Sequence, residues 1–175
     1  MKSVWMCTAA MLAAAGGAPA QLSPAQETSI TVGGKRLTVQ YSAPSVRGRK
    51  IFGPGGLLSN DPTYPVWRAG ANAATAFHTD ADLTVGGLAV PKGDYTLYAH
   101  VADPDNWQLV ISKETGQSGL DYHPKMDLGR VKMTMSKPPA PIERHKITLS
   151  STGGNSAKLQ MEWENHIAWV PIMIR

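Results

Sequence analysis

Arg47, Arg49, Arg68 and Asn72 fall within one irregular stretch of the chain and carry its sharpest chemical signal. Guanidinium groups present planar forks of donors that match carboxylate or phosphate oxygens, and an amide completes the polar shell around such an anion. Together the four form a candidate anion site. The structural alternative has these arginines tie the stretch down through ion pairs with carboxylates such as Glu162 and Glu164, as charged networks often do.

Metal binding and proton transfer are the other chemistries the residue types allow. His78, His100, His123, His145 and His166 recur at intervals of 22, 23, 22 and 21 residues, about the length of two strands and their turns. No His-x-His or His-Glu-x-x-His pair anchors a metal among them, so neither a metal nor a cofactor is assigned. His78 shares a strand face with Ala74, Ala76 and Asp80, whereas His145 shares one with apolar Ile147, so the imidazoles need not converge. Asp80 with Asp82, and Glu162 with Glu164, are same-face carboxylate pairs of the kind acid–base catalysis uses. Around inward-facing Trp163, a solvated or salt-bridged sheet face explains the second pair more simply. Asp103-Pro104-Asp105-Asn106 lacks the later ligands of a calcium loop, and Gly116-Gln117-Ser118-Gly119 lacks the spacing of a nucleophile elbow. Trp107 and Trp163 follow an inward register and read as core. Trp67 and Trp169 lack clear alternation around them and leave a sugar-stacking surface open.

The elements that hold these residues are strands. Leu37, Val39 and Tyr41 point one way while Arg36, Thr38 and Gln40 point the other, the mark of a half-buried strand. The same period recurs through Tyr95-Leu97-Ala99-Val101 against Asp94-Thr96-Tyr98-His100, then in Trp107-Leu109-Ile111, Val131-Met133-Met135, Ile147-Leu149 and Leu159-Met161-Trp163. Residues 167–174 are apolar on both faces and read as either a central strand or one covered by loops, with Pro171 arguing for a bulge or an edge position. Gly33-Gly34, Gly86-Gly87, Lys92-Gly93 and Gly153-Gly154-Asn155 supply the turns between runs. The pattern predicts an all-β, antiparallel sandwich of about nine strands, jelly-roll-like in arrangement. Residues 43–72 break the rhythm with four prolines and five glycines clustered around Ile51, Phe52, Leu57, Leu58, Val66 and Trp67, too apolar for a linker, so they should form one long loop packed over an end of the sandwich.

The N-terminus sets the compartment. Lys2, an apolar run over residues 4–15 and the small residues Ala18-Pro19-Ala20 read as a signal peptide cleaved near Ala20, leaving residues 21–175 as a single sandwich domain that is periplasmic or secreted. The run is too short to span a bilayer, so no integral membrane segment is expected after its removal. Cys7 is the only cysteine and leaves with the signal, which excludes disulfides and thiol chemistry. The chain carries 17 Lys and Arg against 13 Asp and Glu with no basic run interleaved with aromatics, so nucleic acid is not an expected partner.

Three ordered segments carry a resemblance: Tyr41-Ser42-Ala43-Pro44-Ser45-Val46-Arg47-Gly48-Arg49-Lys50-Ile51-Phe52-Gly53, Val66-Trp67-Arg68-Ala69-Gly70-Ala71-Asn72-Ala73-Ala74-Thr75 and Val90-Pro91-Lys92-Gly93-Asp94-Tyr95-Thr96-Leu97. With Asp121-Tyr122-His123-Pro124 and Met161-Glu162-Trp163-Glu164-Asn165 further on, most of residues 26–174 resembles a bacterial family of exported proteins, the domain of unknown function numbered twenty-nine eleven. Ala43 departs from the basic residue such a resemblance leads one to expect. The resemblance implies export and a β-rich fold and brings no activity with it. The residues point to a binding or structural module that meets a small anion, a glycan or an envelope protein. The alternative is an envelope or extracellular hydrolase using carboxylate or histidine acid–base chemistry.

Overall fold

A computed structural model describes residues 22–175; the segment read as a signal peptide lies outside the described residues. Thirteen strands form two antiparallel sheets, as the alternation predicts. The first sheet contains β1 (Ala25–Val32), β2 (Lys35–Ser42), β3 (Val66–Trp67), β4 (Thr75–Thr79), β7 (Gly93–His100), β8 (Gln108–Ser112) and β9 (Asp127–Lys132), in the order β1-β2-β4-β7-β8-β9 with β3 beside β7. The second contains β5 (Leu83–Val85), β6 (Leu88–Val90), β10 (Thr134–Ser136), β11 (Ile142–Gly153), β12 (Ser156–Glu164) and β13 (His166–Ile174), in the order β11-β12-β13-β5-β6 with β10 beside β13. The strand number exceeds the expected nine because β3, β5, β6 and β10 are only two or three residues long, too short to show a period of two. No helix among the described residues is long and apolar enough to cross a membrane.

One continuous core joins the sheets. Leu37 and Val39 of β2, Phe77 of β4, Leu97 and Ala99 of β7 and Leu109 and Ile111 of β8 face Ile147 and Leu149 of β11, Leu159, Met161 and Trp163 of β12, and Val170 and Ile172 of β13. Such side chains each contribute roughly 1.5–3 kcal/mol of transfer free energy when fully buried. Because the pleat alternates, burying this set forces Arg36, Thr38, Gln40, Ala76 and His78 onto the opposite, solvent-facing side of the first sheet. Residues 167–174 form a central strand, with Pro171 at the seam where one short partner, β10, ends at Trp169 and the next, β5, begins opposite Ile172. A missing N–H is tolerated at such a gap.

The long loop closes one end. Phe52 inserts among Trp67, Trp107, Trp163 and His166, with ring centroids 5.7, 4.7, 5.8 and 4.7 Å away. Fully buried His145 donates from Nε2 to the Ala69 carbonyl at 2.9 Å, and burial pushes its pKa down to about 4, so it is a neutral clip between β11 and the loop. Trp67 therefore belongs to the core, while Trp169 lies half-buried on the outer face of β13 with the Lys158 ammonium 5.7 Å from its ring centre.

Candidate functional site

The register of the first sheet sets outward-facing residues of four strands in rows. Glu27 of β1 lies opposite Gln40 of β2, Gln40 opposite Ala76 of β4, and Ala76 opposite Thr96 of β7. The next row runs Ser29, Thr38, His78, Asp94. Small residues in the middle, Ala76 with Ala73 and Ala74 beside it, leave a hollow between taller neighbours, and Thr115, Gly116 and Gln117 form its far wall. The result is a half-open cleft of about 680 Å³. Phe77 and Tyr95 contribute only ring edges to it, being 2% and 7% exposed, and serve as the back of the floor.

At one end sits an ionic cluster. His78 Nδ1 lies 2.7 Å from Asp94 Oδ1 and its Nε2 3.0 Å from Asp80 Oδ1. Ionised carboxylates only accept, so the two contacts favour the protonated imidazole, in which both ring nitrogens donate. These hydrogen bonds, to Asp94 first and Asp80 second, raise the His78 pKa above its ordinary value, and the bond from His78 holds Asp80 below the usual carboxylate range. Arg36 donates from Nε to Ser29 Oγ at 3.0 Å and stands 3.7 Å from Glu27, which also accepts from Gln40 at 2.8 Å. Three carboxylates thus face two cations across the cleft, a near balance on a protein of net charge +4.

The far wall is fixed from beneath. The Gln117 amide donates to Thr96 Oγ1 at 3.2 Å and to the Tyr98 hydroxyl at 2.9 Å, and these hydroxyls donate onward to the Glu114 and Asp121 carbonyls. Tyr122 packs edge-on against Tyr98 at 5.0 Å and hydrogen-bonds Asp127 at 2.7 Å; burial, aided by Asp127, pushes its pKa up to about 12. On the other flank of the wall, Gly119 nests against Arg68 and the Asn72 carbonyl, where any Cβ would collide with both.

The four residues singled out from sequence sit elsewhere, and none lines this cleft. Arg47 and Arg49 lie on an exposed turn beside the start of β11: the Arg47 amide donates to Glu143 Oε1 at 2.9 Å, and the Arg49 guanidinium donates to the carbonyls of Ser45 and Val46 at 2.8 and 3.0 Å. Arg68 and Asn72 share Gly119 as a neighbour on a separate segment; Asn72 Nδ2 donates to the Ser23 carbonyl at 3.3 Å, and Arg68 Nε is buried without a hydrogen-bond partner. Glu164 does pin the loop, accepting from the Ile51 amide at 2.8 Å, while Glu162 accepts from Gln160 at 2.6 Å. Ala43 is 1% exposed in the core, which explains why no charge stands there. Asp80 and Asp82 are not a working pair: both follow the end of β4, and Asp82 turns to accept from the Lys92 amide at 2.8 Å. Asp103 accepts from the Asp105 amide and the Asn106 side chain, an Asx turn. Among the described residues no group of three or more His, Cys, Asp or Glu converges as a metal-ligand set.

Fold and cleft together define an antiparallel β-sandwich with a polar, charge-balanced hollow on one sheet face. The chain matches the family model described as "Protein of unknown function (DUF2911)" over residues 23–172, and it belongs to that family. Comparison with curated proteins and with solved structures returns no match.

Proposed function

We propose that this chain is a non-catalytic binding module that works outside the cytoplasm, with the cleft on the first sheet as its site. The observation that carries the reading is His78 locked between two carboxylates. While both nitrogens donate to Asp80 and Asp94, the imidazole has no lone pair to accept a substrate proton, and its ring nitrogens are bonded to carboxylates, not to a hydroxyl nucleophile. What remains is a preformed concave surface of donors and acceptors, which suits recognition. Acid–base hydrolysis through Glu162 and Glu164 has weaker support, because Glu164 is engaged by the Ile51 amide. Export is supported by the signal pattern ending at Ala20.

A ligand that binds only the folded protein raises its melting temperature by mass action, so a thermal-shift panel of sugars, amino acids, nucleosides, carboxylates and phosphates tests the site. At least one class should protect the wild type and fail to protect Ala76→Phe, a variant that fills the hollow from an exposed strand position. Equal protection of both proteins by every active ligand refutes the site. Arg68 sustains a second reading, an anion site shared with neighbouring Asn72, because its buried Nε lacks a partner. Phosphate or citrate protection that disappears in Arg68→Ala at unchanged folding would favour it.

A further inference from the structure

Resting on the cleft as the site, we infer that its ligand is a neutral oligosaccharide lying across the strands. Four features of the cleft select this chemistry. Its outward-facing polar groups are planar or hydroxylic and mix donors with acceptors: Arg36, Gln40, Asp94 and Thr38. Vicinal sugar hydroxyls are each donor and acceptor at once and pair with such guanidinium, amide and carboxylate edges two at a time. The floor is methyl-lined by Ala73, Ala74 and Ala76, a surface for the C–H face of a pyranose. The near balance of three carboxylates against two cations leaves no field to attract a polyanion. Finally, the hollow crosses from β1 to β7 over three strand spacings, about 14 Å, the length of a trisaccharide.

Rigidity completes the argument. Arg36, Thr38, Gln40 and Asp94 stand on strands in fixed rows, Gln40 is already oriented by Glu27, and the Gln117 wall is fixed by Thr96 and Tyr98, so little side-chain entropy is lost on binding. Hydrogen bonding carries the recognition here, since the Phe77 and Tyr95 rings are buried beneath the floor and offer no stacking face.

The test is titration of the purified protein with neutral cello-, chito-, malto-, xylo- and manno-oligosaccharides, read by calorimetry and by side-chain amide NMR. One linkage series should bind at high micromolar to millimolar concentration and shift the Gln40 and Gln117 amide signals. Binding should vanish in Ala76→Phe, weaken about fivefold in Gln40→Ala, the worth of one hydrogen bond, and stay unchanged in Trp169→Ala on the opposite face of the sandwich. Gln40→Ala alters only an exposed side chain and keeps the test decisive if Ala76→Phe disturbs the sheet. No binding by any series, or binding that survives both cleft variants, overturns the inference. If oligosaccharides fail while another class protects the wild type but not Ala76→Phe, the saccharide falls and the cleft stands. If Ala76→Phe alters nothing for any class, both fall.

Discussion

Replacing Phe52 by Ala should release the long loop from the sandwich. The Phe52 ring is buried and touches four other rings at 4.7 to 5.8 Å. Phe→Ala changes at buried sites cost about 3–5 kcal/mol through lost transfer free energy and the cavity left behind. The upper half of that range applies here, because the surrounding indoles of Trp67, Trp107 and Trp163 belong to strands or strand ends and have little freedom to collapse inward. For a domain of this size each kcal/mol is worth about 2–4 °C, so the melting temperature should fall by roughly 10 °C or more. Urea unfolding measures the energy, and hydrogen exchange locates it. The amides of Ile51, Leu57 and Leu58, which donate to Glu164 Oε1 and to the Lys50 and Ile51 carbonyls, should lose protection well before those of β12. Phe52→Leu should recover about half the loss. A destabilisation below about 1 kcal/mol, or loop amides that keep their protection, would refute the claim that this ring is the loop's anchor.

Three further outcomes follow from hydrogen bonds described above. Tyr41→Phe strips the partner from the Ile147 amide, bonded to the Tyr41 hydroxyl at 3.0 Å, and should cost about 1–3 kcal/mol in urea unfolding, the penalty of an unsatisfied buried donor. His78 has a folded pKa above its unfolded one, so its bridge to Asp94 and Asp80 contributes fully below about pH 6.5 and fades as pH rises through the raised value. His78→Gln should therefore be less stable than wild type at pH 6, with the gap narrowing by pH 9, and NMR titration of the wild-type imidazole should place its midpoint above 6.5. His145 shifts the opposite way: between pH 6.5 and its folded value of about 4 the unfolded state binds the extra proton. Stability should accordingly drop by on the order of 3 kcal/mol as pH falls through that window, and His145→Gln should flatten the slope measured by chemical denaturation.

The sandwich was legible in the sequence because burial of one sheet face writes a period of two into every long strand, as in Leu37-Val39-Tyr41 or Leu159-Met161-Trp163. The packed loop was legible for a related reason: Ile51, Phe52, Val66 and Trp67 are too apolar to face water. The cleft was only half visible. His78 and Ala76 share a side of β4, with Asp80 just past its end, and could be grouped by local alternation, but Gln40 and Asp94 join them only through pairing of β2 with β4 across the long loop and of β4 with β7, and Gln117 through its bonds to Thr96 and Tyr98. Pairing partners are a tertiary fact that no local pattern encodes. The arginines drew notice by type and proximity in sequence, yet Arg47 and Arg49 stand on one turn and Arg68 and Asn72 on another segment. Residues 167–174 allowed a central strand but did not single it out, since apolar Ile167, Trp169, Pro171 and Met173 occupy its outer face, where burial does not impose polarity.

The free flank of β11 has a bearing on how this protein can meet others. Its successive outward amides are already taken: His145 by the Pro44 carbonyl at 2.8 Å, Ile147 by the Tyr41 hydroxyl at 3.0 Å and Leu149 by Thr28 Oγ1 at 3.2 Å. A carbonyl from the start of the long loop and two hydroxyls from β1 and β2 act as a counterfeit neighbouring strand. An incoming chain finds no vacant ladder over residues 145–149, so edge-to-edge association and runaway strand addition are blocked along the middle of this strand. Recognition at this flank would have to go through side chains, and because two of the three rungs are hydroxyls, resistance to aggregation at this edge hangs on single oxygen atoms of Tyr41 and Thr28.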